Sequence, residues 1–140
     1  MEKDIFISIK STQYSPDGES IQESGPYPGQ YFYKDGFHYC LYEELLEGVP
    51  HPVKSRIKFS PDIVTLHKAG DIHFDAVYEA GKSHLSNYRT MFGPIPIAIL
   101  TKQISFCEIA DKITLSLQYD STMGNDYTIS THMEIIITSK

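Results

Sequence analysis

The segment QYFYKDGFHYCLYEELL, Gln30–Leu46, decides the fold. Asp35 and Gly36 stand between two aromatic-rich runs, and an Asp-Gly pair suits a type I′ hairpin because both central residues take positive φ. Closing the hairpin there pairs Lys34 with Phe37, Phe32 with Tyr39 and Tyr33 with His38. The same period-two alternation extends in both directions, whereas helical periodicity is almost absent, so the chain reads as all-β.

Towards the amino end, Ile5, Ile7 and Ile9 mark one face of a first strand. SPDG (Ser15–Gly18) turns the chain into a short strand around Ile21, and ESGPYPGQ (Glu23–Gln30) reads as a loop. Beyond the hairpin, EGVPHPVK is a Pro-broken connection and Ser55–Lys82 holds three strands. A loop at Pro61-Asp62 pairs Phe59 with Val64 and Ile57 with Leu66, and a loop centred on Gly70 pairs Leu66 with Phe74. These residues share a buried face whose reverse carries Arg56, Lys58, Thr65, His67, His73 and Asp75. Ile113, Leu115, Leu117 and Tyr119 form a clean stripe. Between Ile97 and Ile109 the apolar parity slips, so either both faces are covered or a bulge lies near Thr101 to Gln103. Glu134–Ile137 is apolar on both sides, as expected of an interior strand.

Strands joined by short turns must stack as two sheets or close on themselves, and closure removes both edges. The expected fold is one domain over residues 1–140, a closed antiparallel β-barrel of about eight to ten strands with room for packed side chains and at most one small ligand.

Composition narrows the function. The net charge of −6 and the scattered Lys and Arg argue against nucleic acid, whose affinity rests on basic residues displacing counterions. No segment has the length to cross a bilayer, and MEKDIFISIKSTQY lacks the apolar run of a signal peptide, so a cytoplasmic location without membrane association is expected. There, Cys40 and Cys107 are expected as buried free thiols. The two lack CxxC spacing, and no metal or other cofactor is called for.

The order of DIFISIKSTQ, GQYFYKDGFHYCLYEE, SRIKFSPDIVTLHKAG, YRTMFGPIPIAILTK and ITLSLQYD resembles the YwiB-like family, also called DUF1934, nearly end to end. The resemblance implies a calycin-type, lipocalin-like barrel from a cytoplasmic bacterial protein, and it implies no mechanism. Where relatives tend to carry an Arg before the glycine of the VTLHKAG turn, this chain has His67, Lys68 and Ala69, so no role tied to that guanidinium carries over.

The stretch SHLSNYRTMFGPIP, Ser83–Pro96, is polar on both strand faces. A two-residue turn at Gly81-Lys82 sends Leu85, Asn87, Arg89 and Met91 inward; a three-residue loop sends His84, Ser86, Tyr88 and Thr90 inward. Either register brings polar groups to the lumen, where they must meet one another, water or a ligand. The candidate ligand-binding residues are Arg89, Tyr88, Thr90, Asn87 and His84, joined by Tyr33 and Tyr42. Arg89 would clamp a carboxylate or phosphate through its planar fork. The structural alternative places this strand at a solvated barrel mouth, with Arg89 paired to Glu43 or Glu44.

The aromatic cluster of Tyr27, Tyr31, Phe32, Tyr33, Phe37, Tyr39 and Tyr42 suits a partly polar lumen, and equally a plain β-core stabilised by cross-strand pairs. Asp71, His73 and Asp75, with His67 across from His73, could face a divalent metal, but Arg56 and Lys58 on the same face would repel it. His51 and His132 have no evident partners. No catalytic motif is present, and Glu43 and Glu44 point to opposite faces, so they cannot share a proton-transfer site. The expectation is a binding module for a small polar or anionic molecule at the barrel mouth, with no established catalysis. Its rival is a protein-interaction or structural module with a filled barrel, using a rim or strand edge to engage a partner or form a homodimer. A hydrolase or isomerase using Arg89 and His84 is a third reading.

Overall fold

The computed structural model describes residues 2–90, 93–123 and 127–140. Ten strands run in chain order: β1 (Glu2–Ser15), β2 (Gly18–Lys34), β3 (Phe37–Glu44), β4 (Val53–Phe59), β5 (Ile63–Ala69), β6 (His73–Glu79), β7 (Ser83–Thr90), β8 (Gly93–Ile109), β9 (Lys112–Met123) and β10 (Tyr127–Ser139). Each is antiparallel to the next, and β1 pairs with β10 to close the barrel. Closure pairs the first strand with the last, and only part of β2 keeps an edge without a β3 partner. Among the described residues no helix is long and apolar enough to cross a membrane.

Period-two alternation becomes an inside and an outside. Ile5, Ile7, Leu115, Leu117, Ile135 and Ile137 point inward and are buried, each stabilising the fold by roughly 1.5–3 kcal/mol. Asp35 and Gly36 both adopt positive φ, +53° and +85°, so the β2–β3 hairpin has the expected turn and register. Phe59 pairs with Val64 and Ile57 with Leu66, also as expected.

Three local readings are corrected. ESGPYPGQ is no loop, because β2 runs unbroken from Gly18 to Lys34. Its pairing with β3 begins only at Gly29, so Pro26 and Pro28 interrupt no ladder on that side. Gly25 and Pro26 bulge opposite Ser8; Gly25 has φ +91°, and a Cβ there would lie 2.6 Å from the Ile7 carbonyl oxygen, so only glycine fits. Second, Leu66 opposes Ala76 and Lys68 opposes Phe74. The slip from the expected pairing is two residues, and an even slip keeps every side chain on its face. Third, Cys107 is exposed, whereas Cys40 is buried, its thiol pushed up to about 12 by loss of water.

The parity slip in β8 is a bulge between Thr101 and Gln103. It lets Ile97, Ile99 and Thr101 face inward before it and Ile104 and Phe106 after it. The β6–β7 turn is stitched to this point: Gly81 N donates to Thr101 O at 2.8 Å and Thr101 N to Lys82 O at 3.1 Å.

The end of the barrel at the β2–β3 turn is plugged by aromatic rings. His38 stacks on Phe59 (centroids 4.7 Å, interplanar angle 9°), with Phe106 5.2 Å from His38 and 5.9 Å from Phe59. Tyr31 Oη lies 2.6 Å from His38 Nδ1. Burial first, then the charges of Glu108 and neighbours, pushes Tyr31 up to about 12, so the phenol keeps its proton and donates to a neutral imidazole. Burial lowers the His38 pKa from its ordinary 6.5, opposed by Glu108. The folded state therefore binds fewer protons than the unfolded chain between the depressed pKa and about 6.5. His38's contribution is whole above that window, is lost as pH falls through it, and levels off below. Imidazole NMR should give His38 a midpoint under 6.5; a midpoint at or above that value would contradict the plug.

Candidate functional site

The β6–β7 ladder pairs Phe74 with Tyr88 and His73 with Arg89, so the connection follows the three-residue alternative. His84, Ser86 and Tyr88 have the inward parity, while Asn87 and Arg89 are exposed on the outer face. Arg89 pairs with neither Glu43 nor Glu44: among the described residues no ion pair includes it, and Glu44 is taken by Lys68. Thr90 ends β7 opposite Gly93; its side chain, like Met91, lies outside the described residues. Tyr88 packs edge-on against Phe74 at 5.7 Å.

His84 and Tyr33 belong to the plugged end. His84 Nε2 lies 3.0 Å from Glu79 Oε1 and Lys82 Nζ 3.2 Å from Glu79 Oε2; these two hydrogen bonds, His84's first, hold the Glu79 carboxyl below its usual range. Tyr33 is half exposed and meets His38 edge-on at 4.8 Å. Tyr42 alone of the nominated residues lines the barrel's large cavity, to which β7 contributes no described residue.

That cavity, about 810 Å³, opens at the end of the β3–β4 connection and reaches between Ile57, Leu66, Leu117 and Ile135. Polar groups make up nearly half of the lining, with Ser11, Gln22, Glu23, Ser24 and Glu47 among them. Glu44, 3% exposed, accepts hydrogen bonds from Ser55 Oγ at 3.2 Å and Lys68 Nζ at 2.8 Å. Both fall on Oε1. Tyr42 Oη is buried and makes no hydrogen bond of full geometry. Burial and the adjacent Glu44 charge push its pKa far up, so the phenol stays neutral. The charged lining residues are Glu23, Glu44, Glu47 and Lys68, which makes the mouth acidic.

A family model described as a domain of unknown function, DUF1934, matches residues 7–135. The chain belongs to this family. The DUF1934 barrel is also similar to the crystal structure of the ywiB protein from Bacillus subtilis, with a TM-score of 0.88 and 23% identity over 99% of this chain and 93% of that one. That likeness shows a shared fold. No curated protein matches the sequence.

In the DUF1934 barrel Tyr27 and Tyr42 stack at 5.8 Å and 22°, and both also border an outer groove with Leu41, Leu45, Pro52 and Arg56. The pair partitions groove from lumen. The rest of the aromatic cluster is split by the sheet: Tyr31 joins the plug, while Phe32 stacks on Tyr39 outside at 4.6 Å, and Lys58 Nζ sits 4.4 Å from the Phe37 centroid. No metal-binding group exists among the described residues. His67 faces Asp75, not His73, and its Nδ1 bonds that carboxylate. His51 Nδ1 lies 2.9 Å from Asp71 Oδ2, and His132 Nε2 lies 2.8 Å from Ser116 Oγ, so both histidines have partners that sequence reasoning missed.

Proposed function

We propose that this DUF1934 barrel is a binding module for one small amphiphilic molecule, which enters past Glu44 and Lys68 and buries its apolar part among Ile57, Leu66, Leu117 and Ile135. One observation carries this reading: a lumen of about 810 Å³, apolar at Ile57, Leu66, Leu117 and Ile135, into which the buried Tyr42 hydroxyl brings a polar atom without a hydrogen bond of full geometry. Ligand sites of a few hundred Å³ or more typically combine apolar walls with a few placed polar groups. A buried hydroxyl without a partner costs about 1–3 kcal/mol, which a ligand atom would recover.

The rival reading, association through a strand edge, has one feature behind it. Residues Gly18–Pro28 of β2 pair with β1 and not with β3. Glu19, Glu23, Pro26 and Pro28 all lie on that edge, and charges and prolines deter strand addition. Self-pairing about Ile21 would set Glu19 against Glu23, and directly opposed like charges are destabilising.

The test uses N-phenylnaphthylamine, an apolar probe that fluoresces on leaving water. Its emission should rise with the wild-type protein and stay near the buffer level with Leu66→Trp, whose indole would occupy the lumen. Probe at a hundredfold excess over Kd should stabilise the fold by about 2.7 kcal/mol. Equal emission from the two proteins, or none from either, would refute lumen binding.

A further inference from the structure

Granting the lumen as a binding site, we infer that its ligand is an amphiphilic amine, with the ammonium held by Glu44 and Tyr42 and the hydrocarbon part lying in the barrel. This rests on the preceding proposal and adds the chemical class.

The carboxylate of Glu44 is on the inner face of β3, one inward position beyond Tyr42, and is 3% exposed. Ser55 and Lys68 both donate to Oε1, and the Tyr42 hydroxyl is the other described polar group that interacts with this carboxylate. That hydroxyl makes no hydrogen bond of full geometry. Neutral at ordinary pH, that phenol can accept a hydrogen bond from an ammonium while the carboxylate supplies the charge. An ammonium carries three donors and no acceptor, so it can bond the carboxylate and the phenol lone pair while the phenol O–H stays turned to the carboxylate.

Charge points the same way. Glu23, Glu44 and Glu47 line the cavity against Lys68 alone. A carboxylate or phosphate head could reach Lys68 only by competing with Glu44 for it, and would meet like charge at the mouth. Arg89, the guanidinium best suited by type to an anion, is exposed on the outer face and takes no part in the lining. The expected anionic ligand is therefore replaced by a cationic one of the same amphiphilic build.

Octylamine, octanol and octanoate share one tail and differ only in the head, so displacement of N-phenylnaphthylamine at neutral pH isolates the head's contribution. Octylamine should displace the probe at a concentration about tenfold below that needed for octanoate, the ratio given by one charge-assisted hydrogen bond. Glu44→Gln should abolish that advantage. Tyr42→Phe removes the phenol lone pair and keeps the ring, so it should reduce the octylamine advantage over octanoate. If octanoate displaces as well as octylamine, or the advantage survives both substitutions, the amine assignment is wrong while lumen binding stands. If none of the three displaces the probe, lumen binding itself fails.

Discussion

Phe59→Ala should lower the unfolding free energy by about 3–5 kcal/mol, the cost of emptying a large buried aromatic site. Phe59 is 0% exposed and contacts His38 and Phe106 at the plugged end of the barrel. These rings come from three strands, β3, β4 and β8, each held in its own ladder, so no single strand can shift to fill the void. Urea denaturation reads the effect as a fall in midpoint with little change in slope. Tyr33→Ala is the control: Tyr33 touches the same His38 ring but is 50% exposed, and its removal should cost far less. A loss under about 1 kcal/mol for Phe59→Ala would mean that the plug is not packed as described.

Lys68→Met should be the next most damaging change, because it leaves the Glu44 carboxylate at 4% side-chain exposure with Ser55 and the Tyr42 hydroxyl as its remaining polar neighbours. Stranding a buried charge costs about 3–5 kcal/mol. Lys68 is itself 18% exposed, which moves the expectation to the lower end of that range. Adding Glu44→Leu should restore most of the loss, since an apolar pair often replaces a buried ion pair at no net cost. A double mutant as unstable as the single would mean that the Lys68 alkyl chain, not its charge, supports the wall. The same double mutant should lose the amine preference while retaining the probe, because it deletes the anchor and leaves the cavity.

Much of the barrel was legible in the chain because its signals are local. The Asp35-Gly36 turn fixes one register through φ, and the stripe Ile113 to Tyr119 fixes one face through the pleat. Even the β8 bulge showed as a break in parity. The extent of β2 was not legible, since Pro26 and Pro28 read as breakers until it is known that β3 pairs only from Gly29 onward. Turn length likewise hid the orientation of Asn87 and Arg89, because one residue more or less exchanges the two faces of a strand.

The site divides along the same line. That Glu44 follows Cys40 and Tyr42 on an inward face, and Lys68 follows Val64 and Leu66, could be read from alternation alone. Alternation says which side of a strand a residue takes, because the pleat is a property of a few consecutive peptides. Which carboxylate meets which ammonium across three strands, and which hydroxyl is left without a hydrogen bond of full geometry, depends on how the sheet shears and curves as it closes. Those quantities belong to the whole barrel, and they joined Glu44 of β3 to Lys68 of β5 at a cavity that no described residue of β7 lines.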